Sequence, residues 1–158
     1  MNKKKIIIAS IAVWMMVIFV MSNQPGNVSF NISGSFIEML KNVPIIGSLL
    51  NDILVSNSAQ FIIRKGAHMF SYLTLAVLCF MVIYEVKKSS KKATYISFLI
   101  AFLYACSDEF HQLFIPGRGA QFKDVMIDCV GAFIGLMIVN AIVKINENKK
   151  SKASADDL

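Results

Sequence analysis

The sequence predicts an all-α polytopic membrane protein of four transmembrane helices, with the N- and C-termini both cytoplasmic. Three observations predict it. Hydrophobic residues make up 56% of the 158 residues and charged residues 16%, with a mean hydropathy of +0.60, which is too apolar for an ordinary soluble domain. The apolar residues gather into runs whose lengths suit a bilayer. Lysine and arginine fall between those runs with a strong bias to one side. A chain this long supplies one small bundle rather than two soluble domains.

The first run, residues 6–21, follows Lys3, Lys4 and Lys5. As a helix it reaches about 24 Å, and Ser22 and Asn23 extend it to a span of about 6–23. A basic flank before a short apolar core also describes a signal peptide. No small-x-small cleavage pattern follows Met21, so a retained helix is expected. Residues 24–60 form a connector of mixed character. Phe36, Leu40 and Val43 share one helical face, as do Ile46, Leu49, Leu50 and Ile53 after Pro44, with Gly47, Asn51 and Asp52 interrupting. Amphipathic helices on the bilayer surface and a folded loop over the bundle both fit this pattern.

The second span covers about 66–84 and is followed by a short loop with Lys87, Lys88, Lys91 and Lys92. The third covers about 93–113, Pro116-Gly117 marks a turn, and the fourth covers about 123–143. These spans make residues 1–145 one membrane domain, and residues 146–158 a polar cytoplasmic tail that is expected to be disordered. With the N-terminus inside, the inner side holds Lys3–Lys5, the four loop lysines, and Lys144, Lys149, Lys150 and Lys152, eleven of the 16 basic residues. The outer side holds Lys41, Arg64, Lys65, Arg118 and Lys123. The positive-inside rule selects this orientation.

The net charge of +6 is thus explained by topology. No basic face with interleaved aromatics appears, and nucleic acid is not an expected partner. Cys79, Cys106 and Cys129 each lie in an apolar run without a partner at metal or redox spacing, and read as small buried hydrophobes. No cofactor is expected.

Residues 107–135 depart from this apolar background. Asp108, Glu109, His111, Gln112, Arg118, Lys123, Asp124 and Asp128 crowd between two apolar runs. The helical wheel extends the set: Lys65, His68 and Tyr72 share a face of the second span, and Tyr104, Asp108, His111 and Gln112 share one on the third. On the fourth, Asp124 and Asp128 give way to Gly131 and Gly135, a small-residue spacing that lets helix backbones approach closely. Glu109 and His111, two apart, project to opposite sides. Arg64 and Lys65 stand near the N-terminal end of their helix, and Asp108 and Glu109 near the C-terminal end of theirs. Both placements oppose the helix dipole. Such groups inside a span cost free energy, on the order of 2.5–3.5 kcal/mol at mid-helix and less near the ends.

Several readings fit this set. Four cations (Arg64, Lys65, Arg118, Lys123) and four carboxylates (Asp108, Glu109, Asp124, Asp128) can form a self-neutralising network that locks one end of the bundle. The added histidines, glutamine and tyrosine instead suit proton transfer or anion recognition. A metal on Asp108 and His111, with His68 and Asp124, is disfavoured by the nearby cations and the absence of a ligand motif, and none is expected. Arg118 either pairs with Glu109 or Asp124, or joins Lys65 in clamping a phosphate-bearing head group.

The motifs RKGAHMFSYLTLA and SDEFHQLFIPGRGAQFKDVMIDCVGAFIG resemble the VanZ-like family of bacterial membrane proteins. The pattern is carried by Lys65, His68, Tyr72, Asp108, Glu109, Gln112, Phe114, Arg118, Asp124 and Gly131, and the polar ending Ser22-Asn23-Gln24 also resembles the family. The likeness covers roughly residues 10–140. Asp128 stands where the family often has asparagine, and Gly119 where it often has serine. The resemblance implies a multi-pass protein of the bacterial cell membrane, of a family named for low-level resistance to the lipoglycopeptide teicoplanin. Two functions follow as expectations. One is a non-enzymatic envelope protein that lowers susceptibility to lipoglycopeptides through an outer-face polar site. The other is a membrane enzyme doing acid–base chemistry on a lipid-linked envelope precursor. The candidate site residues for either are Lys65, His68, Tyr72, Asp108, Glu109, His111, Gln112, Arg118 and Asp124. The expected partners are the lipid bilayer and such a precursor or lipoglycopeptide.

Overall fold

The computed structural model describes residues 3–49, 54, 56 and 58–156. Leu50, Asn51, Asp52 and Ile53 of the connector, and Asp157 and Leu158 of the tail, lie outside the described residues. The helices run α1 (Lys3–Ser22), α2 (Gly26–Lys41), α3 (Pro44–Leu49), α4 (Ala59–Lys87), α5 (Ser90–Gln112) and α6 (Phe122–Asp156). Three are long and apolar enough to cross a membrane: α1 over Lys5–Ser22, α4 over its whole length, and α6 over Phe122–Lys149. The 23-residue α5 reaches about 34 Å as well. Polar residues at both of its ends, Lys91 and Lys92 at one and Asp108 to Gln112 at the other, set its composition apart from the other three.

Helix α4 is the hub and packs against α6, α5, α1 and α2. Tyr72, Leu75, Ala76, Cys79 and Phe80 of α4 meet Ala93, Ala101 and Ala105 of α5, Val125, Ala132 and Leu136 of α6, and Ile18 of α1. The small residues decide how closely the helices approach. A Cβ on Gly131 would collide with the backbone carbonyl of Met69, and one on Gly135 would stand 2.7 Å from that of Leu73. The two glycines thus lay the α6 backbone against that of α4, as their four-residue spacing predicts. Two long side chains pin α1: Trp14 Nε1 donates to the Ser71 carbonyl at 2.9 Å, and Tyr104 Oη to that of Met15 at 2.7 Å. At the far end of α5, Ser90 donates to Asn140, whose amide donates to Thr94 at 2.8 Å.

The connector is helical where described. Pro25, fixed at φ −52°, precedes the first turn of α2, and the Gly26 N–H donates to the Pro116 carbonyl at 3.1 Å. The face of α2 buried in the protein carries Ser33 and Ile37, and Phe36 is exposed. Ile37 packs with Leu54, Ala59, Leu40 and Ile63 in a small second cluster. The tail differs from expectation. Residues 146–156 continue α6 as helix, because no glycine or proline follows Gly135 to stop it and its Glu, Lys and Ala residues favour helix. Tyr84 Oη donates to Glu147 at 2.8 Å and ties the start of this extension to α4.

Candidate functional site

The polar residues of α4, α5 and α6 meet at the end of the bundle where α5 turns into α6. Lys65 is ion-paired with Asp124, across from α4 to α6. One turn deeper, His68 Nδ1 stands 3.8 Å from Asp128 Oδ1, too far for a hydrogen bond. Asp128 is 0% exposed, and neither of its carboxylate oxygens has a hydrogen-bond partner. Beneath it Tyr72, also 0% exposed, leaves its hydroxyl unpartnered, with its ring 6.1 Å from that of Tyr104.

Helix α5 contributes two buried carboxylates. Asp108 Oδ2 accepts from Gln112 Nε2 at 3.1 Å, and the same amide donates to Ser22 Oγ at 2.7 Å. Glu109 Oε2 accepts the backbone N–H of Gln121 at 2.9 Å, while its buried Oε1 has no partner. Gln121 immediately precedes α6, so Glu109 faces the positive end of that helix. This resolves the dipole conflict read from the sequence: Glu109 opposes the field of its own helix and complements that of its neighbour. Glu109 and His111 project to opposite sides of α5, as the wheel reads them, with Glu109 toward α6 and His111 toward α1. The wheel is blind to α6, and it is the turn that carries the Glu109 partner across.

Two predicted site residues point elsewhere. His111 Nε2 lies 3.2 Å from Asn23 Oδ1, with its ring 4.9 Å from that of Phe19, so it fastens α5 to the end of α1. Arg118 Nε donates to the Gln24 carbonyl at 2.8 Å and an Nη to the Met21 carbonyl at 3.2 Å. It therefore holds one carbonyl of the last turn of α1, that of Met21, and the Gln24 carbonyl just past the helix end, instead of pairing with Glu109 or Asp124. The self-neutralising network is absent among the described residues: of the eight charges it requires, Lys65 and Asp124 alone form an ion pair with each other. Also among the described residues, no three His, Cys, Asp or Glu side chains are grouped to hold a metal ion. Ser22 and Asp128 join the cluster without having been among the candidate site residues. Asp128 was legible as the α6 residue four after Asp124, and Ser22 only through its place in the polar ending of α1.

The convergence of Lys65, His68, Tyr72, Asp108, Glu109, Gln112 and Asp124 coincides with a family match over residues 7–144. The chain belongs to the VanZ/LLP1 family. It is a helical membrane protein of that family. No curated protein and no solved structure matches the chain. In this VanZ/LLP1 protein the motif residues divide by role: Gly131 sets the approach of α6 to α4, Arg118 binds the end of α1, Phe114 is exposed beside Phe110, and the remainder line the polar cluster.

Asp128 departs from the asparagine often found at its place in VanZ-like proteins, and leaves a buried carboxylate without hydrogen bonds. Asp128→Asn is expected to raise stability by about 1 kcal/mol, since an amide is far less costly to bury than a carboxylate. Thermal unfolding of the purified protein in detergent at neutral pH tests this. A lowered midpoint would show that the carboxylate is compensated.

Proposed function

We propose that this protein crosses a bacterial cell membrane four times, with both termini cytoplasmic, and uses the polar cluster at the outer ends of α4, α5 and α6 for acid–base chemistry on a lipid-linked envelope compound. The observation that carries the reading is the set of buried, unpartnered polar atoms in the cluster: Glu109 Oε1, the Tyr72 hydroxyl and both oxygens of Asp128. Buried polar groups are normally satisfied, and a cluster that leaves several free holds them for a ligand or a proton. A structural lock would have spent those atoms on one another. In this reading His68 and Glu109 move protons, Lys65 supplies positive charge held in place by Asp124, and Asp108 is oriented by Gln112. Lowered susceptibility to lipoglycopeptides such as teicoplanin is the cellular readout that the family resemblance supplies.

A fourth span for α5 is supported by its two ends. Ser90 and Thr94 meet Asn140 at one end, and Gln112 meets Ser22 at the other, so α5 matches the height of its neighbours. The orientation has a direct test in a background with Cys79, Cys106 and Cys129 replaced by alanine. Gly119→Cys is expected to react with an impermeant thiol reagent added to intact cells, and Ser89→Cys to be protected. Gly119 tolerates the change, since a Cβ there meets nothing within 4 Å. The reverse labelling pattern would move the cluster to the cytoplasmic side.

A further inference from the structure

Beside the polar cluster, a cavity of about 560 Å³ opens between α1, α2 and α4. Its walls are apolar for most of their extent, with Ile18 and Met21 of α1, Ile32 and Phe36 of α2, and Ile62 and Phe70 of α4. Its cations are Arg64 and Arg118, with the His68 imidazole beside them, and no carboxylate lines it. Arg64 makes no hydrogen bond or ion pair among the described residues. It also borders the neighbouring cavity that Glu38 lines, without pairing with that carboxylate. Burial, and then the field of Arg64, hold the Arg118 guanidinium below its usual pKa. Gly66 sits within α4 on the cavity wall, and a Cβ built on it would meet nothing within 4 Å. Glycine weakens a helix interior, and here no packing contact requires it. It leaves open space beside the cations.

We propose that this cavity binds an anionic, phosphate-bearing lipid, with its chain along the apolar walls and its head group at Arg64 and Arg118. Charge complementarity selects the occupant: an apolar channel whose charged groups are two guanidiniums suits an amphiphile with an anionic head. An anion between Arg64 and Arg118 relieves their mutual repulsion, and Arg118 remains anchored to the carbonyls at the end of α1 as it does so. The inference rests on the lipid-linked reading above and deepens it by stating the charge of the ligand and where its chain lies. His68 belongs to both the cavity and the polar cluster, so a bound head group would lie next to the groups assigned to proton transfer.

Trp14, the single tryptophan, reports on the cavity because its indole donates to the carbonyl of Ser71, a wall residue. The full chain is reconstituted in phosphatidylcholine vesicles, and brominated phosphatidylglycerol or brominated phosphatidylcholine of the same chain length is titrated in. Brominated phosphatidylglycerol is expected to quench Trp14 at a mole fraction about tenfold lower, the scale of one charge-assisted contact. Arg64→Gln is expected to abolish that preference, and Lys123→Gln, which removes an exposed charge outside the cavity, to leave it intact. Gly66→Leu, whose Cβ meets nothing within 4 Å and whose side chain adds bulk at the cavity wall, is expected to reduce quenching by both lipids. Equal quenching by the two lipids overturns the proposal. So does a preference that survives Arg64→Gln but falls with Lys123→Gln, or quenching relieved by inorganic phosphate alone. The catalytic reading fails separately: a Glu109→Gln protein with full cellular phenotype and an intact lipid preference would remove catalysis and leave the lipid site standing.

Discussion

Glu109→Gln is expected to lower the activity of the site by a factor of about a hundred or more, with the protein still folded and present in the membrane in normal amount. The substitution is nearly isosteric, and the glutamine carbonyl can still accept the Gln121 N–H that Glu109 Oε2 accepts at 2.9 Å. The start of α6 is therefore preserved, and the group removed is the carboxylate whose other oxygen is buried without a partner. Lipid and cell-wall precursor profiles of cells with and without the variant measure the chemistry. Teicoplanin susceptibility measures its consequence. Full retention of both would leave Glu109 a helix cap and support the non-enzymatic reading of the cluster. Loss of the phenotype together with loss of the protein from the membrane would instead show that the cap is its main contribution.

Gly131→Ala carries the largest expected cost to stability, about 3 kcal/mol or more. The new methyl group would collide with the Met69 carbonyl, a backbone atom that cannot move unless α4 and α6 separate. Separation would also pull Asp124 and Asp128 on α6 away from Lys65 and His68 on α4. Gly131→Ala should therefore lower both the unfolding midpoint in detergent and the activity of the site. Gly66→Ala is the matched control: its Cβ meets nothing, and replacing an interior helical glycine gains up to about 1 kcal/mol. Equal midpoints for the two variants would mean that the α4–α6 contact is looser than the structure shows.

Much of the architecture was legible because membrane helices obey strong one-dimensional rules. Apolar run length located α1, α4 and α6, and the four-residue spacing of Gly131 and Gly135 located the close contact of α6 with α4. The periodicity of Lys65, His68 and Tyr72, and that of Asp124 and Asp128, placed those residues on faces that do meet. Sequence reasoning did less well where a residue's partner lies on another element. The sequence offered Arg118 either an acidic partner or a phosphate-bearing head group, and its guanidinium donates to the Met21 and Gln24 carbonyls at the end of α1. The wheel placed His111 with Asp108 and Gln112, yet at the final turn of α5 it meets Asn23 and Phe19. Composition marked residues 146–158 as a solvated tail, while the lack of any helix breaker let α6 run on to Asp156.

By itself the sequence determined the all-α class, the three most apolar spans, the family, and the list of polar residues crowded near one turn. These follow from hydropathy, spacing and residue identity, which are properties of the chain read locally. The tertiary structure alone decided which of those charges are paired. Lys65 was matched to Asp124, Glu109 was turned to the start of α6, and Asp128 and Tyr72 were left buried without hydrogen bonds. The reason is physical. A helical wheel fixes the direction of a side chain about its own axis, but the energy of a buried charge is set by groups a few ångströms away on other helices. Those distances exist only once α4, α5 and α6 have packed.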